Sequence, residues 1–251
     1  MPPAGRHRHR SVRDEPGADA RRRQGHVHTH HLQGLQLSGN PTDREEPPRE
    51  VEILARERLH EGFYALDRLV LRHRRFDGGW TRPLRRELLL QRDAVAVLPY
   101  DPDRDRVLLV EQFRVGALGA ADGAWLLEAP AGLLEPGESV EACARRELLE
   151  ECGIEAGRLE RALVYRSSPG GTSESVTVVI AEARLDRGGG LAGSAAEDED
   201  IRAHVLPAEE AFALVRAGRI VATTGLVPLL WLELERARLR AAWRPTAPSG
   251  A

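Results

Sequence analysis

Lysine is absent from the 251 residues, so arginine supplies all 36 basic side chains. Codon composition is the plain account of that bias, and no function is read from it. Cysteine is scarce. Cys143 and Cys152 stand alone, nine positions apart on one predicted helix and too far apart to pair there. A disulfide scaffold is excluded, and a reducing, cytoplasmic setting is expected. No apolar run approaches the roughly 20 residues that a membrane-spanning helix needs. The N-terminus lacks the continuous apolar segment of a secretory signal. Positive charge is not in excess either. A formal net charge of −3 argues against a basic field that gathers nucleic acid or holds a membrane surface. What remains is a chain long enough for one ordinary domain with additions and a core that needs no staples.

Residues 1–50 are rich in Arg, His, Pro and Gly and hold few large apolar side chains. Too little surface can be buried there to offset the entropy of ordering, so a disordered leader is expected. Six of the nine histidines fall in it (His7, His9, His26, His28, His30 and His31), and they read as a solvated tail rather than a metal site. Acidic residues among its arginines (Asp14, Glu15, Asp19, Asp43, Glu45, Glu46) weaken an RNA-binding reading. From Val51 onward apolar and polar residues alternate over 51–59, 62–73 and 81–91, with a turn at Phe76–Trp80. That pattern predicts a small antiparallel β subdomain over 51–91. Further strands are predicted over 93–100, 106–114, 125–130, 159–167, 175–183 and 201–206, and helices over 139–152, 207–217 and 224–242. A Gly-rich loop is expected after Pro130 and another loop over 188–200. Because strands and helices do not alternate regularly, the reading is α+β, an α/β/α sandwich, over 92–243, with a tail at 244–251.

The chemistry concentrates between Gly132 and Ile154. Glu147, Glu150 and Glu151 are spaced i, i+3, i+4, which sets three carboxylates on one side of a helix. Such a cluster is repulsive, and a partly enclosed site tolerates it when hard cations neutralise it. Mg²⁺, or Mn²⁺ with the same oxygen preference, binds through carboxylates together with substrate phosphates. Gly132 permits close backbone approach, so that the carbonyl of Ala131 becomes a further donor. Pro136-Gly137 turns the chain into the helix, Ser139 is its predicted N-cap, and Gly153 its terminator. Arg146 is placed to pair with Glu138 across the loop. Alone, Glu-x-x-Glu-Glu would be a solvated acidic face; the wider pattern makes that reading inadequate.

That stretch resembles the Nudix box, Gly-x5-Glu-x7-Arg-Glu-U-x-Glu-Glu-x-Gly-U with U aliphatic, at every position. The likeness extends over about residues 51 to 243 and is specifically similar to the bacterial ADP-ribose diphosphatases. It is carried by Val51–Glu57 with Gly62-Phe63, Arg85-Arg86-Glu87, Glu111–Arg114, Ser168–Glu174 and Ala196–Arg202. Pro169 lies sixteen residues past Gly153, a mark of that subgroup. The resemblance implies the Nudix fold and Mg²⁺-dependent cleavage of ADP-ribose to AMP and ribose 5-phosphate. GDP-mannose or another nucleoside diphosphate sugar is the alternative substrate. A non-catalytic ADP-ribose-binding module is disfavoured because all three box glutamates are present.

The resemblance also implies roles. Ala131, Glu147 and Glu151 would hold the metal, with Glu150 assisting; Gly132, Glu138 and Arg146 would shape the site. Glu197, and after it Glu199, would be the general base on a late loop. Arg114 would meet phosphate, and Phe63 and Arg86 would sandwich the adenine, one from each subunit of a homodimer. Glu174 and Leu133 would lie near the terminal ribose. Exchange of the 51–91 subdomain across the dimer is part of the same expectation. Cys143 reads as packing rather than as a nucleophile.

Overall fold

The computed structural model describes residues 29–31, 49–186, 189–192 and 200–243. The expected leader therefore lies outside the described residues except at 29–31 and 49–50, and the expected tail lies wholly outside them. Two compact units partition the chain, Met1–Ala55 with Val70–Leu84, and Arg56–Leu69 with Arg85–Ala251.

Strands β1 (Thr29–His31), β2 (Glu50–Glu61), β3 (Ala65–His73) and β4 (Leu84–Leu90) form a sheet in the order β1-β2-β3-β4. The short β1 was not foreseen; it runs antiparallel to β2, with Thr29 opposite Glu52. In the first unit, Arg72 and Arg74 pair with Glu52 and Glu50 at 2.6 and 2.9 Å. Both guanidiniums also stack on Trp80. The predicted Phe76–Trp80 turn is present, closed by the Arg75 N–H on the Gly79 carbonyl at 2.7 Å.

The second unit contains the larger sheet. Its strands are β5 (Ala94–Asp101), β6 (Arg106–Phe113), β7 (Trp125–Glu128), β8 (Ala131–Leu133), β9 (Leu159–Arg166), β10 (Ser175–Glu182), β11 (Gly190–Ala192) and β12 (Ile201–Pro207). They are ordered β11-β12-β6-β5-β10-β9, with β7 on β6 and β8 on β5. Every residue of β5 is buried, which is why this strand reads as a continuous apolar run rather than an alternation. It pairs parallel with β10 and antiparallel with β6 and β8, so the sheet is mixed.

Successive side chains of a strand face opposite ways, and the core divides accordingly. Val95, Val97, Val179 and Ala181 meet Cys143, Ala144 and Leu148 of α1 (Val140–Cys152). Leu98, Tyr100, Val178 and Ile180 instead meet α2 (Ala208–Arg216) through Phe212 and α3 (Thr223–Trp243) through Leu229, Leu232 and Trp243. The result is the expected α/β/α arrangement. Two short strands, β8 and β11, stand where the sequence predicts loops, and a 3-10 turn at Val115–Ala117 falls in a stretch for which it predicts no element. Three residues carry too little periodicity to announce a strand; β8 exists because its backbone pairs with β5, Gly132 lying opposite Val95. Among the described residues no helix is long and apolar enough to cross a membrane.

Candidate active site

The site is built on α1 and on the three-residue strand that faces it. Ser139 caps the helix, its hydroxyl accepting from the Ala142 N–H at 3.1 Å. Gly153 ends it in the left-handed region at φ 64° and returns its N–H to the Leu148 and Leu149 carbonyls, a geometry that favours glycine. Between these caps the buried positions are Cys143, Ala144, Glu147, Leu148 and Glu151. Two of the three box carboxylates thus lie on the covered face. Glu147 and Glu151 are 8% and 3% exposed, whereas the Glu150 side chain is 49% exposed.

Gly132 explains how Glu147 fits. A Cβ at residue 132 would stand 1.7 Å from Glu147 Oε1, so the carboxylate occupies the volume that any other side chain would fill. Glu151 Oε2 accepts the Ala131 N–H at 3.3 Å. Both carboxylates are therefore seated against β8, close to the main chain of Ala131 and Gly132.

Arg146 braces the surroundings. Its Nε and Nη2 donate to the two Glu138 oxygens at 2.9 and 3.0 Å, and its Nη1 donates to Glu147 Oε1 at 2.6 Å and to Glu150 Oε2 at 3.1 Å. Nη2 also reaches the Leu133 carbonyl at 3.3 Å. The Arg146 fork, with the Glu135 N–H, holds the Glu138 carboxyl down at about 2. The Arg146–Glu138 pairing expected from the sequence is present. Burial first, then the charges of Glu138 and Glu147, pushes the Cys143 thiol up to about 12. A thiol so held is a poor nucleophile, in keeping with the packing role read for Cys143.

A cavity of about 690 Å³ opens beside this assembly. Leu133, Arg114, Phe63 and Glu174, all singled out from the sequence, line it together with Ala131, Gly132, Arg146 and Glu147. Arg114 donates to Glu128 Oε2 through Nε at 2.9 Å and Nη2 at 2.5 Å, so its guanidinium is oriented by a buried acid on the neighbouring strand. Phe63 is 82% exposed and meets Tyr64 edge to face at 4.8 Å. Arg86 lies elsewhere in the chain's own geometry, in a separate cavity with Arg68 and Arg85. Glu197 and Glu199 lie outside the described residues. Sequence reasoning missed Tyr64, Arg92, Glu128, Glu135 and Ala222–Thr224, which also line the larger cavity. Ala222–Thr224 carried no local signal, since they enter through the packing of α3. The paired aromatics Phe63-Tyr64 did carry one.

Among the described residues no three His, Cys, Asp or Glu side chains are gathered as a metal cluster. The donors brought together there are the buried carboxylates of Glu147 and Glu151, beside the backbone of Ala131 and Gly132. An oxygen-only set of that size, seated in a cradle a Cβ would fill, fits a hard divalent cation that completes its shell with substrate and water.

The NUDIX domain family model matches residues 90–223. An ADP-ribose pyrophosphatase of Escherichia coli (strain K12) is 42% identical over 194 residues, which cover 77% of this chain and 93% of that protein. A GDP-mannose pyrophosphatase of Cronobacter sakazakii is 36% identical over 176 residues, covering 68% and 88%. A crystal structure of an ADP compounds hydrolase superposes with a TM-score of 0.58 at 21% identity, covering 81% of this chain and 100% of that one.

Proposed function

Because this chain belongs to the Nudix family and is a hydrolase, we propose that it cleaves the diphosphate of ADP-ribose to AMP and ribose 5-phosphate. The observation that carries the reading is the seating of Glu147 in the space over Gly132, with Glu151 buried on the neighbouring Ala131 N–H, where the cavity of about 690 Å³ reaches α1. The choice of sugar nucleotide rests on the 42% identity to an ADP-ribose pyrophosphatase, against 36% to a GDP-mannose pyrophosphatase.

Glu147, Glu151 and the Ala131 carbonyl are the proposed ligands of Mg²⁺, with Mn²⁺ as a substitute and Glu150 assisting. When bound, the dication neutralises the carboxylates and the diphosphate and stabilises the charge that develops as the anhydride bond breaks. The chain's own groups do the rest. Arg146 fixes Glu147 through Nη1 while its Nε and Nη2 hold Glu138, and Arg114 presents a guanidinium to phosphate. Glu197, with Glu199 as the second candidate, takes the proton of the attacking water. Phe63, with Arg86 of a second copy, stacks the adenine in a homodimer that exchanges the 51–91 subdomain. Glu174 and Leu133 receive the terminal ribose. The compartment proposed is the cytoplasm, and neither nucleic acid nor membrane is a partner.

A phosphatase-coupled release assay in about 5 mM MgCl₂, a level suited to weak carboxylate sites, tests this. ADP-ribose, GDP-mannose, UDP-glucose and NADH are compared, with Glu151→Gln alongside. The expected result is preference for ADP-ribose, lowered by about 1,000-fold or more in the variant, the scale on which removing a central charge-stabilising group acts. Preference for GDP-mannose would move the substrate and keep the chemistry. Inactivity of the folded protein on all four would overturn the hydrolase reading.

A further inference from the structure

The cavity that reaches Glu147 adjoins a second one of about 430 Å³, and Phe63, Tyr64, Arg92, Leu133 and Glu174 line both. Arg92 stands at that junction. Three arginines line the larger cavity, and two of them are committed to carboxylates: Arg114 to Glu128, and Arg146 to Glu138, Glu147 and Glu150. Arg92 is exposed and has neither a hydrogen bond nor an ion pair from its side chain among the described residues.

Its backbone, by contrast, is pinned on both sides. The Gln91 N–H donates to Ser173 Oγ at 2.9 Å, and that hydroxyl donates back to the Gln91 carbonyl at 3.1 Å. The Asp93 carbonyl accepts the Leu134 N–H at 2.9 Å, and Asp93 Oδ1 accepts the Ser175 N–H at 3.1 Å. Residue 92 is thereby fixed between the 168–174 loop and the strand end that follows Gly132, while its guanidinium makes no hydrogen bond to the described residues.

The walls of the larger cavity carry Glu128, Glu135, Glu147 and Glu174. A substrate bringing a doubly charged diphosphate into such surroundings needs a cation whose donors are not already spent. A guanidinium presents a planar fork that matches phosphate oxygens two at a time. We propose that Arg92 binds the diphosphate of the substrate at the junction of the two cavities and is a determinant of affinity distinct from Arg114. This inference rests on the proposed function for its substrate class, and it holds for any nucleoside diphosphate sugar, since the diphosphate is common to all of them.

The test is equilibrium binding by titration calorimetry to the full chain in EDTA, where no turnover confuses the reading. ADP-ribose, GDP-mannose and UDP-glucose are the ligands, and adenosine, which has no phosphate, is the control. Arg92→Ala is expected to weaken the best-bound diphosphate compound at least tenfold and to leave adenosine within twofold. Arg92→Lys, a point charge without the fork, is expected to fall between. In parallel turnover assays with metal, the alanine variant raises KM by a similar factor and changes kcat less than twofold, as loss of uniform binding does. Diphosphate binding within twofold of the wild type in Arg92→Ala, equal weakening of adenosine, or no binding of any diphosphate compound by the wild type would each overturn the proposal. Turnover by the wild type with Arg92→Ala unaffected sinks Arg92 alone. Arg92-dependent binding without turnover sinks the hydrolase reading alone.

Discussion

A methyl group at residue 132 would stand 1.7 Å from Glu147 Oε1. Gly132→Ala is therefore expected to displace that carboxylate while the sheet and helix persist. Displacements of about 1 Å at a reacting centre cost on the order of 100-fold, so kcat/KM should fall by that order with an unchanged far-UV circular dichroism spectrum. Glu138 makes a pH-dependent prediction. Its folded-state carboxyl is held at about 2 by Arg146, below the ordinary 4.5. A depressed value means the pair contributes fully above about pH 4.5 and loses its contribution as the pH falls toward 2. Melting temperatures of wild type and Glu138→Gln should thus differ most near neutrality and converge toward pH 2. A gap that stays constant across that range would show that the Glu138 charge is not what matters.

The box helix depends on its cap. Ser139 supplies the hydroxyl that accepts from Ala142, and Ser139→Ala should cost about 1 kcal/mol, read from the midpoint of urea unfolding. A second joint ties α3 to the turn between β5 and β6. Asp105, with φ at 58°, accepts from Tyr100 Oη at 2.8 Å, Arg236 Nε at 2.9 Å and Arg240 Nη1 at 2.9 Å. Removing one partner of such a partly buried network leaves the others uncompensated. Asp105→Ala is therefore expected to destabilise by about 3 kcal/mol. Asp105→Asn, which tolerates the left-handed backbone and keeps an oxygen acceptor, should cost less in the same unfolding experiment. Equal losses in the two variants would locate the effect in the charge alone.

At the scale of the whole molecule, no described residue that lines either cavity beside the box precedes Glu61. A chain lacking residues 1–28 but keeping the segment that pairs with β2 should hydrolyse its substrate with kcat/KM within about twofold of the full-length value, since it retains every described residue that lines those cavities. A tenfold loss would assign the leader a part in catalysis. Much of this architecture was legible beforehand. The unbroken apolar run of β5, the Ser139 and Gly153 caps of α1 and the Phe76–Trp80 turn are local signals, each set by burial, capping or turn chemistry within a few residues. The strand β8 was not legible, since its existence depends on pairing with β5 by the register Val95 to Gly132, far apart in the chain. The spacing of Glu147, Glu150 and Glu151 is enough to set them on one side of a helix, because helical geometry confines those positions to an arc of about 100°. Which of them are enclosed follows from packing between distant segments. Contact with β8 covers Glu147 and Glu151, while Glu150 turns out toward Arg146 and solvent. Loop packing also pins the backbone beside Arg92, through the bond of Ser173 to Gln91, 82 residues away in the chain, a junction that no periodicity or motif encodes.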